Sequence, residues 1–248
     1  MKLEEFATGS SFIHHLDPRG KVVAAACFSG LVSLTQSLYA ALAALALPVM
    51  LVALARLDFK RLMTRLAVVN GFILFTWFFI PFTFPGEVIY SIGPLDIHRE
   101  GVLYACLLTV KSNAIILALI ALLGTSPVLD VVHALSHLGV PDKLVHLFFF
   151  CFRYLHTIRE EYHKLSEALK VRSFRPGTNL HTYRTYAYLV GMLLVRSFHR
   201  SQRILEALKC RGFSGRFYIL HHYQMKRRDY LFTSCGLVLP CLLVVFLA

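Results

Sequence analysis

Long apolar runs, separated by short polar stretches, fill the first half of the chain. The longest is residues 22–55, which carries no charged side chain. A single helix of this length would extend about 50 Å at 1.5 Å per residue, well beyond the roughly 30 Å hydrocarbon core of a bilayer. The segment is therefore predicted to form two helices joined at a polar corner. The corner consists of Ser33, Thr35, Gln36 and Ser37.

Three further apolar segments have the length of a membrane span: residues 66–84, 102–123 and 230–247. Together with the two helices of residues 22–55, they predict about five transmembrane helices. The composition supports this assignment, since 56% of the residues are hydrophobic and only 16% are charged. We therefore expect an all-α integral membrane protein, in which residues 1–127 form N-terminal transmembrane helices and residues 230–248 form a C-terminal one.

Residues 128–229 have a different pattern, because the sequence there repeats itself. The eight residues EALKVRSF that begin at Glu167 return 39 residues later as EALKCRGF, with six of eight positions identical. Apolar residues at steps of three and four precede each copy, which indicates two long amphipathic helices. Each helix is expected to end just after its arginine, because a small residue follows and then a glycine or proline. The opening of the first helix, residues 144–152, is apolar enough to dip into the membrane, and the second helix also has an apolar patch, at residues 189–195.

Two matched helix ends, each with an arginine, indicate a surface that contacts a partner at two equivalent places. An arginine near a helix C-terminus also suits the helix dipole, but this accounts for one such residue and not for the duplicated frame around both. The candidate contact residues are Val171, Arg172, Ser173, Cys210, Arg211 and Gly212. The residues expected to support them are Glu167, Lys170, Glu206 and Lys209.

The positive charge of the chain is concentrated in the repeat region. The formal net charge is +12, and residues 153–228 contain sixteen Lys or Arg against four Glu. A basic region of this kind binds anionic lipid, an acidic protein surface or nucleic acid, and nucleic acid fits a membrane protein least. The positive-inside rule places residues 56–65 and the repeat region in the cytoplasm and the mildly acidic residues 86–101 outside.

Several kinds of chemistry lack their residues in this sequence. There is no GxxxxGK[ST] phosphate-binding loop, so the chain is not expected to bind ATP in that way. None of the apolar spans contains Asp or Glu, which an ion path usually requires. His133 and His137 have the i, i+4 spacing of metal ligands, but this spacing alone does not make a site. We predict no catalytic residue and no metal site in this chain.

Lys111 is the exception among the apolar spans, because it lies well inside residues 102–123. An ionisable group at such a position usually faces protein rather than lipid. It is expected either to bond to a neighbouring helix or to mark a place where a partner subunit packs.

Several short motifs of the chain point to one family. They are Leu16-Asp17-Pro18-Arg19, Gly93-Pro94-Leu95, Gly139-Val140-Pro141, Arg153-Tyr154-Leu155, Val171-Arg172-Ser173 and Cys210-Arg211-Gly212. Together they resemble the transmembrane T component of energy-coupling factor transporters, most closely its cobalt/nickel CbiQ-type branch. The family pattern is Ala-Arg-Ser or Ala-Arg-Gly, and here Val171 and Cys210 replace the alanine. The resemblance covers nearly the whole chain.

The resemblance implies a non-catalytic coupling subunit of an ATP-driven importer in the plasma membrane of a prokaryote. Residues 128–229 would then be a cytoplasmic coupling region whose helix ends, at Arg172 and Arg211, dock on two cytoplasmic ATPase subunits. A small substrate-capturing membrane subunit would be the third partner, beside membrane lipid. ATP and Mg²⁺ would bind the ATPases, cobalt or nickel would be the transported ion, and this chain would bind no cofactor.

Two other functions compete with this one. An autonomous metal permease would use the histidines, and a membrane-embedded enzyme would hold an anionic lipid on the basic face. The enzyme would need clustered carboxylates or a nucleophile with its base, and the sequence shows neither. Copurification with an ATPase pair and a small hydrophobic protein is expected for the importer subunit alone.

Overall fold

The chain folds into α-helices joined by short connections. The computed structural model describes residues 9, 11, 13–14, 16–84, 87–92, 95–213, 229–230, 232–234, 236, 238 and 241. Its elements in chain order are α1 Pro18–Leu34, α2 Leu38–Ala55, α3 Phe59–Thr83, β1 Val88–Ile92, β2 Leu95–His98, α4 Arg99–Leu122, α5 Val128–His137, α6 Asp142–Val171 and α7 Leu180–Cys210. The predicted all-α class is confirmed, with one short hairpin added.

The charge-free segment turns back where the sequence predicts. Asp17 begins α1, since its carboxylate accepts a hydrogen bond from the Arg19 amide at 2.9 Å and Pro18 occupies the first helical position. α1 ends at Leu34 and α2 begins at Leu38. Three of the four predicted corner residues, Thr35, Gln36 and Ser37, form the connection between these two helices, and Ser33 lies in the last turn of α1.

Three of the described helices, α2, α3 and α4, are long and apolar enough to cross a membrane. α1 has only 17 residues, and most of residues 230–248, the predicted last span, lie outside the described residues. The count of about five spans therefore stays a prediction.

The stretch from α3 to α4 differs in detail from the prediction. α3 ends at Thr83, close to the end of the predicted apolar segment at residue 84, and Pro81 lies inside its last turns. A proline in the last turn removes one backbone hydrogen bond without forcing the next residues out of helical geometry. The predicted loop then contains an antiparallel hairpin, in which Val88 is paired with His98 and Ile92 with Leu95.

α4 lies at the centre of the described transmembrane helices and contacts α1, α2 and α3. The packing depends on small side chains, since Ala114, Ala118 and Ala121 of α4 are at most 1% exposed. They lie in clusters with residues of α1 and α2, such as Phe28 and Ala44. Small residues allow helix backbones to approach closely, which is how helices associate in a membrane.

Polar side chains join α3 to α4 within this apolar packing. The amides of Asn70 and Asn113 exchange two hydrogen bonds, at 3.2 and 3.0 Å. The Trp77 indole donates to the Thr109 hydroxyl at 2.9 Å. Each interhelical bond of this kind contributes about 0.5–2 kcal/mol in a membrane, so these contacts fix the register of the two helices.

Contacts within the chain define two compact units. The first comprises Met1–Gly139 with Tyr223–Ala248, and the second comprises Val140–His222. α5 contacts α1 and belongs to the first unit, whereas α6 and α7 form the helices of the second. The functional division at residue 128, which groups α5 with the two long helices, stays a prediction.

Candidate interaction site at two matched helix ends

The repeat in the sequence produces one backbone geometry twice, first at the end of α6. The Phe174 amide donates to the Leu169 carbonyl at 3.1 Å, and the Ser173 amide donates to the Lys170 carbonyl at 2.9 Å. These two bonds make a Schellman motif, which satisfies the last carbonyls of a helix. Arg172 is the C-cap residue, and Ser173 takes the left-handed conformation that the motif needs, with φ 58°.

α7 ends in the same way one repeat later. The Phe213 amide donates to the Leu208 carbonyl at 3.1 Å, and the Gly212 amide donates to the Lys209 carbonyl at 3.0 Å. Arg211 is the C-cap residue, and Gly212 has φ 75°. The two arginines therefore hold equivalent positions in two matching backbone frames, which we call the matched ends.

The ten candidate residues of both copies are exposed to solvent. Val171, for example, is 86% exposed beside its arginine. Among the residues that the structure describes, neither Arg172 nor Arg211 forms an ion pair or a side-chain hydrogen bond. Each matched end thus presents an unengaged guanidinium next to a small side chain.

α6 and α7 are joined at equivalent positions of the two repeats. Glu161 of α6 accepts hydrogen bonds from Arg196 at 2.8 Å and from Arg200 at 3.1 Å, both on α7. Arg200 follows Glu161 by 39 residues, the period of the repeat. The arginine of each matched end lies 11 residues beyond its member of this pair, which is about 16 Å along a helix. The matched ends are therefore equally far along their helices from this contact, the Glu161 junction.

The Glu161 junction is held by charge. The hydrogen bond from Arg196 contributes most to holding the pKa of the Glu161 carboxyl below its usual value, and the charges of Lys164, Arg196 and Arg200 add to the effect. The glutamate therefore stays ionised at neutral pH and keeps both arginines bound. Glu161 was not among the residues predicted from the sequence. The sequence did contain a hint of its role. Glu161 is one of only four acidic residues in the basic residues 153–228, and it lies one repeat period of 39 residues before Arg200.

A groove of about 370 Å³ opens between α6 and α7 beside the Glu161 junction. Its lining is largely apolar and includes Phe150, Tyr154 and Ile158 of α6 and Ile204, Leu205 and Leu208 of α7. Leu208 also accepts the hydrogen bond that closes the cap of α7. The groove therefore runs along α7 to the second matched end.

The segment between the repeats is tied to the start of α7. The Gly177 amide donates to the Thr182 hydroxyl at 3.2 Å, and Thr182 is buried. The Phe174 ring lies 5.9 Å from the Tyr186 ring and 6.2 Å from the His181 ring. These contacts fix the first matched end relative to α7, so both ends belong to one packed unit.

The histidines that suggested a metal lie together on α5. The rings of His133 and His137 are 4.9 Å apart, edge to face, and His133 is buried. Among the described residues, no group of three or more His, Cys, Asp or Glu side chains is arranged to hold a metal ion. The two rings make an aromatic contact within the first unit.

Lys111 makes the bond to a neighbouring helix that was one of its two expected roles. Its ammonium donates to the Ser33 carbonyl at 3.0 Å. This carbonyl is in the last turn of α1, where backbone acceptors have no partner within the helix and a cation suits the helix dipole. The lysine therefore caps α1 from α4.

Comparison with known proteins agrees with these features. The family model CbiQ, described as a cobalt transport protein, matches residues 9–219. Proteins named energy-coupling factor transporter transmembrane protein EcfT resemble the chain over most of its length. The one from Bacillus subtilis is 26% identical over 87% of this chain and 85% of its own. The one from Thermosediminibacter oceani is 28% identical over 85% and 83%, and the one from Staphylococcus aureus is 25% identical over 96% and 92%.

The matched range contains both matched ends and every described element from α1 to α7. The names of the relatives describe the transmembrane part of a transporter, in agreement with three described helices long and apolar enough to cross a membrane. The chain therefore belongs to the CbiQ family, the transmembrane T components of energy-coupling factor transporters.

Proposed function

We propose that this chain is the coupling scaffold of an ATP-driven importer for cobalt or nickel ions, and that Arg172 and Arg211 anchor it on two cytoplasmic ATPase subunits. One observation supports this most: two Schellman caps of the same geometry each present an exposed, unengaged arginine at the same distance from the Glu161 junction. A pair of like ATPases offers the same surface twice, and two equivalent anchors suit such a pair.

The chemistry of arginine suits an anchor of this kind. Its guanidinium offers a rigid fork of N–H donors that pairs with carboxylates or with carbonyls at a helix end, and lysine cannot reproduce this geometry. The caps fix the backbone of both arginines, since the amides that follow each of them are hydrogen-bonded. A preorganised anchor loses less conformational entropy on binding.

The Glu161 junction would make the two ends act together. When the ATPases bind ATP and close, they would displace both matched ends. Because charge-assisted bonds join α6 to α7, the displacement would move the helices as a pair and would not be absorbed at one end. The apolar opening of α6 at residues 144–152, predicted to dip into the membrane, and the apolar patch of α7 at residues 189–195 would pass the displacement to the substrate-capturing subunit. ATP, Mg²⁺ and the hydrolytic groups belong to the ATPases in this scheme.

The substrate assignment is supported by the description of the matching family as a cobalt transport protein. The names of the EcfT relatives specify no metal. In this scheme the residues that select the ion belong to the capturing subunit. The scaffold lies in the plasma membrane of a prokaryote, and its coupling region is on the cytoplasmic side.

Coexpression tests the proposal. A tagged chain should bring down a pair of ATPases and a small hydrophobic protein, and vesicles that contain this complex should take up cobalt or nickel only with ATP. The isolated chain should neither hydrolyse ATP nor bind these ions in calorimetry. Tight metal binding by the isolated chain, lost on His133→Ala with His137→Ala, would contradict the proposal and favour an autonomous permease.

A further inference from the structure

Lys21 of α1 is almost fully buried, with 1% of its surface exposed. Its ammonium donates to the Ser126 hydroxyl at 2.8 Å and to the Thr125 hydroxyl at 3.4 Å. A buried ammonium is costly unless carboxylates offset its charge. The acidic groups that do so are Asp17, Asp130 and Asp229. We call Lys21 with these three aspartates the Lys21 clamp.

The aspartates of the Lys21 clamp come from distant parts of the chain. Asp17 caps α1, Asp130 is in the first turn of α5, and Asp229 lies 18 residues after Arg211. The chain leaves the first unit after α5 and returns to it at Tyr223. The chain on each side of the unit that holds the matched ends therefore has an aspartate whose charge acts on the same lysine.

Close packing holds the returning chain against α1. The Asp229 carboxylate accepts a hydrogen bond from the Asp17 amide at 3.1 Å, and both residues are buried. Gly20 has no room for a side chain, because a Cβ there would collide with the Thr233 hydroxyl. A Cβ on Gly236 would lie 3.2 Å from the Ala24 Cβ, a tight contact. Such close contact between α1 and the returning chain leaves little room for one to slide on the other.

We propose that the Lys21 clamp is the fixed point through which a displacement of the matched ends reaches the transmembrane helices. It fastens both connections of the second unit to α1, and α1 contacts the central helix α4. Asp229 and Lys21 are then positioning residues, which transmit force and touch neither ATP nor the transported ion. This inference rests on the proposed function, since it assumes that the matched ends are moved by ATPases.

Asp229→Asn tests the inference in the assembled transporter, because the amide keeps an acceptor for the Asp17 amide but removes a negative charge that acts on Lys21. The variant should copurify its ATPases and hydrolyse ATP as the unaltered complex does. Ions imported per ATP should fall about tenfold, within the usual range of coupling between sites. The matched control is Asp58→Asn, which removes an aspartate that pairs with Arg61 at 3.1 Å on the surface. The control should import normally.

A disulfide supplies a second test that does not depend on the folding of Asp229→Asn. A Cβ on Gly20 would lie 3.7 Å from the Thr233 Cβ, which suits a disulfide. In a chain without its native cysteines, Gly20→Cys with Thr233→Cys should crosslink on oxidation and leave ion import per ATP unchanged. The same crosslink should restore import to Asp229→Asn.

The outcomes separate this inference from the proposed function. Failure of the unaltered chain to bring down ATPases or to support import would overturn the proposed function itself. A working transporter in which Asp229→Asn imports as many ions per ATP as before would overturn the Lys21 clamp alone. The Lys21 clamp would also be overturned if the chain with Gly20→Cys and Thr233→Cys lost ion import on oxidation and regained it on reduction. That result would mean that α1 and the returning chain must move relative to each other during transport.

Discussion

Glu161 Oε1 of α6 lies 3.1 Å from Arg200 Nη2 of α7, and the two residues are equivalent positions of the two repeats. Two helices that meet at equivalent positions place their matched ends at equal distances from the contact. The duplication in the sequence is therefore also a duplication in space. This arrangement lets one chain, which has no symmetry of its own, contact both members of a symmetric pair of subunits in the same way.

The Glu161 junction should respond to acid. The folded-state pKa of Glu161 is lowered from about 4.5, so its carboxylate stabilises the α6–α7 packing at pH values above 4.5 and loses this effect as the pH falls through the lower folded-state pKa. Glu161→Gln should lower the thermal unfolding midpoint of the detergent-solubilised chain at pH 7. The midpoints of variant and unaltered chain should converge once the pH has fallen below the lowered folded-state pKa of Glu161.

The control for this prediction is the neighbouring Glu160. It is more exposed and pairs with His156 at 3.7 Å within α6, so Glu160→Gln should change the midpoint little at any pH. Equal effects of the two substitutions, or a Glu161→Gln effect that persists unchanged in acid, would mean that Glu161 does not hold the helices together.

The two matched ends differ at the left-handed residue, and this difference predicts opposite effects of two substitutions. Ser173 has φ 58° and Gly212 has φ 75°, a conformation that costs a residue with a Cβ about 1 kcal/mol. Ser173→Gly should therefore stabilise the cap of α6 by about 0.5–1 kcal/mol, and Gly212→Ser should destabilise the cap of α7 by a similar amount.

Hydrogen exchange of the last helical turns measures these changes. Amide protection near Phe174 should rise about threefold in Ser173→Gly and fall about threefold near Phe213 in Gly212→Ser. Changes of the same sign in both variants would show that the conformation of the cap residue does not control the ends.

The charge distribution predicts the orientation of the chain. Cysteine placed at Ile92, in the hairpin between α3 and α4, should be labelled by an impermeant reagent from outside intact cells. Cysteine placed at Lys209 should be labelled only after the membrane is opened, because the basic repeat region is expected in the cytoplasm. The reverse pattern would contradict both the topology and the docking of cytoplasmic ATPases.

Local rules account for what the sequence predicted correctly. The corner between α1 and α2 follows from a charge-free run too long for one span, and the ends of α6 and α7 follow from a small residue after the arginine. These features depend on neighbours in the sequence. They were predicted without any knowledge of tertiary contacts.

Features that depend on tertiary contacts were missed. To predict the Glu161 junction, one must know where the two helices meet. To predict the Lys21 clamp, one must know that residues 17, 130 and 229 come together near one lysine. The β1–β2 hairpin has strands of five and four residues, too short for a periodic pattern to distinguish from a loop.

Alanine substitution of Arg172 and Arg211 tests the central proposal most directly. Loss of one docked arginine commonly costs about 2 kcal/mol, a roughly thirtyfold weaker affinity. Each single variant should therefore retain part of its ATPase. The double variant should release the ATPases or uncouple hydrolysis from uptake while it inserts at normal levels. Arg175→Ala, at an exposed arginine outside the motif, is the matched control.

The measurement is the amount of ATPase that copurifies with each variant, read together with metal-ion uptake by vesicles that contain the complex. We predict normal assembly and uptake for Arg175→Ala, partial loss for each single variant of a matched end, and loss of ATPase or of coupled uptake for the double variant. A double variant that retains its ATPases and imports the ion at the normal rate would contradict the proposal, and would reduce both arginines to surface residues that suit the helix dipole.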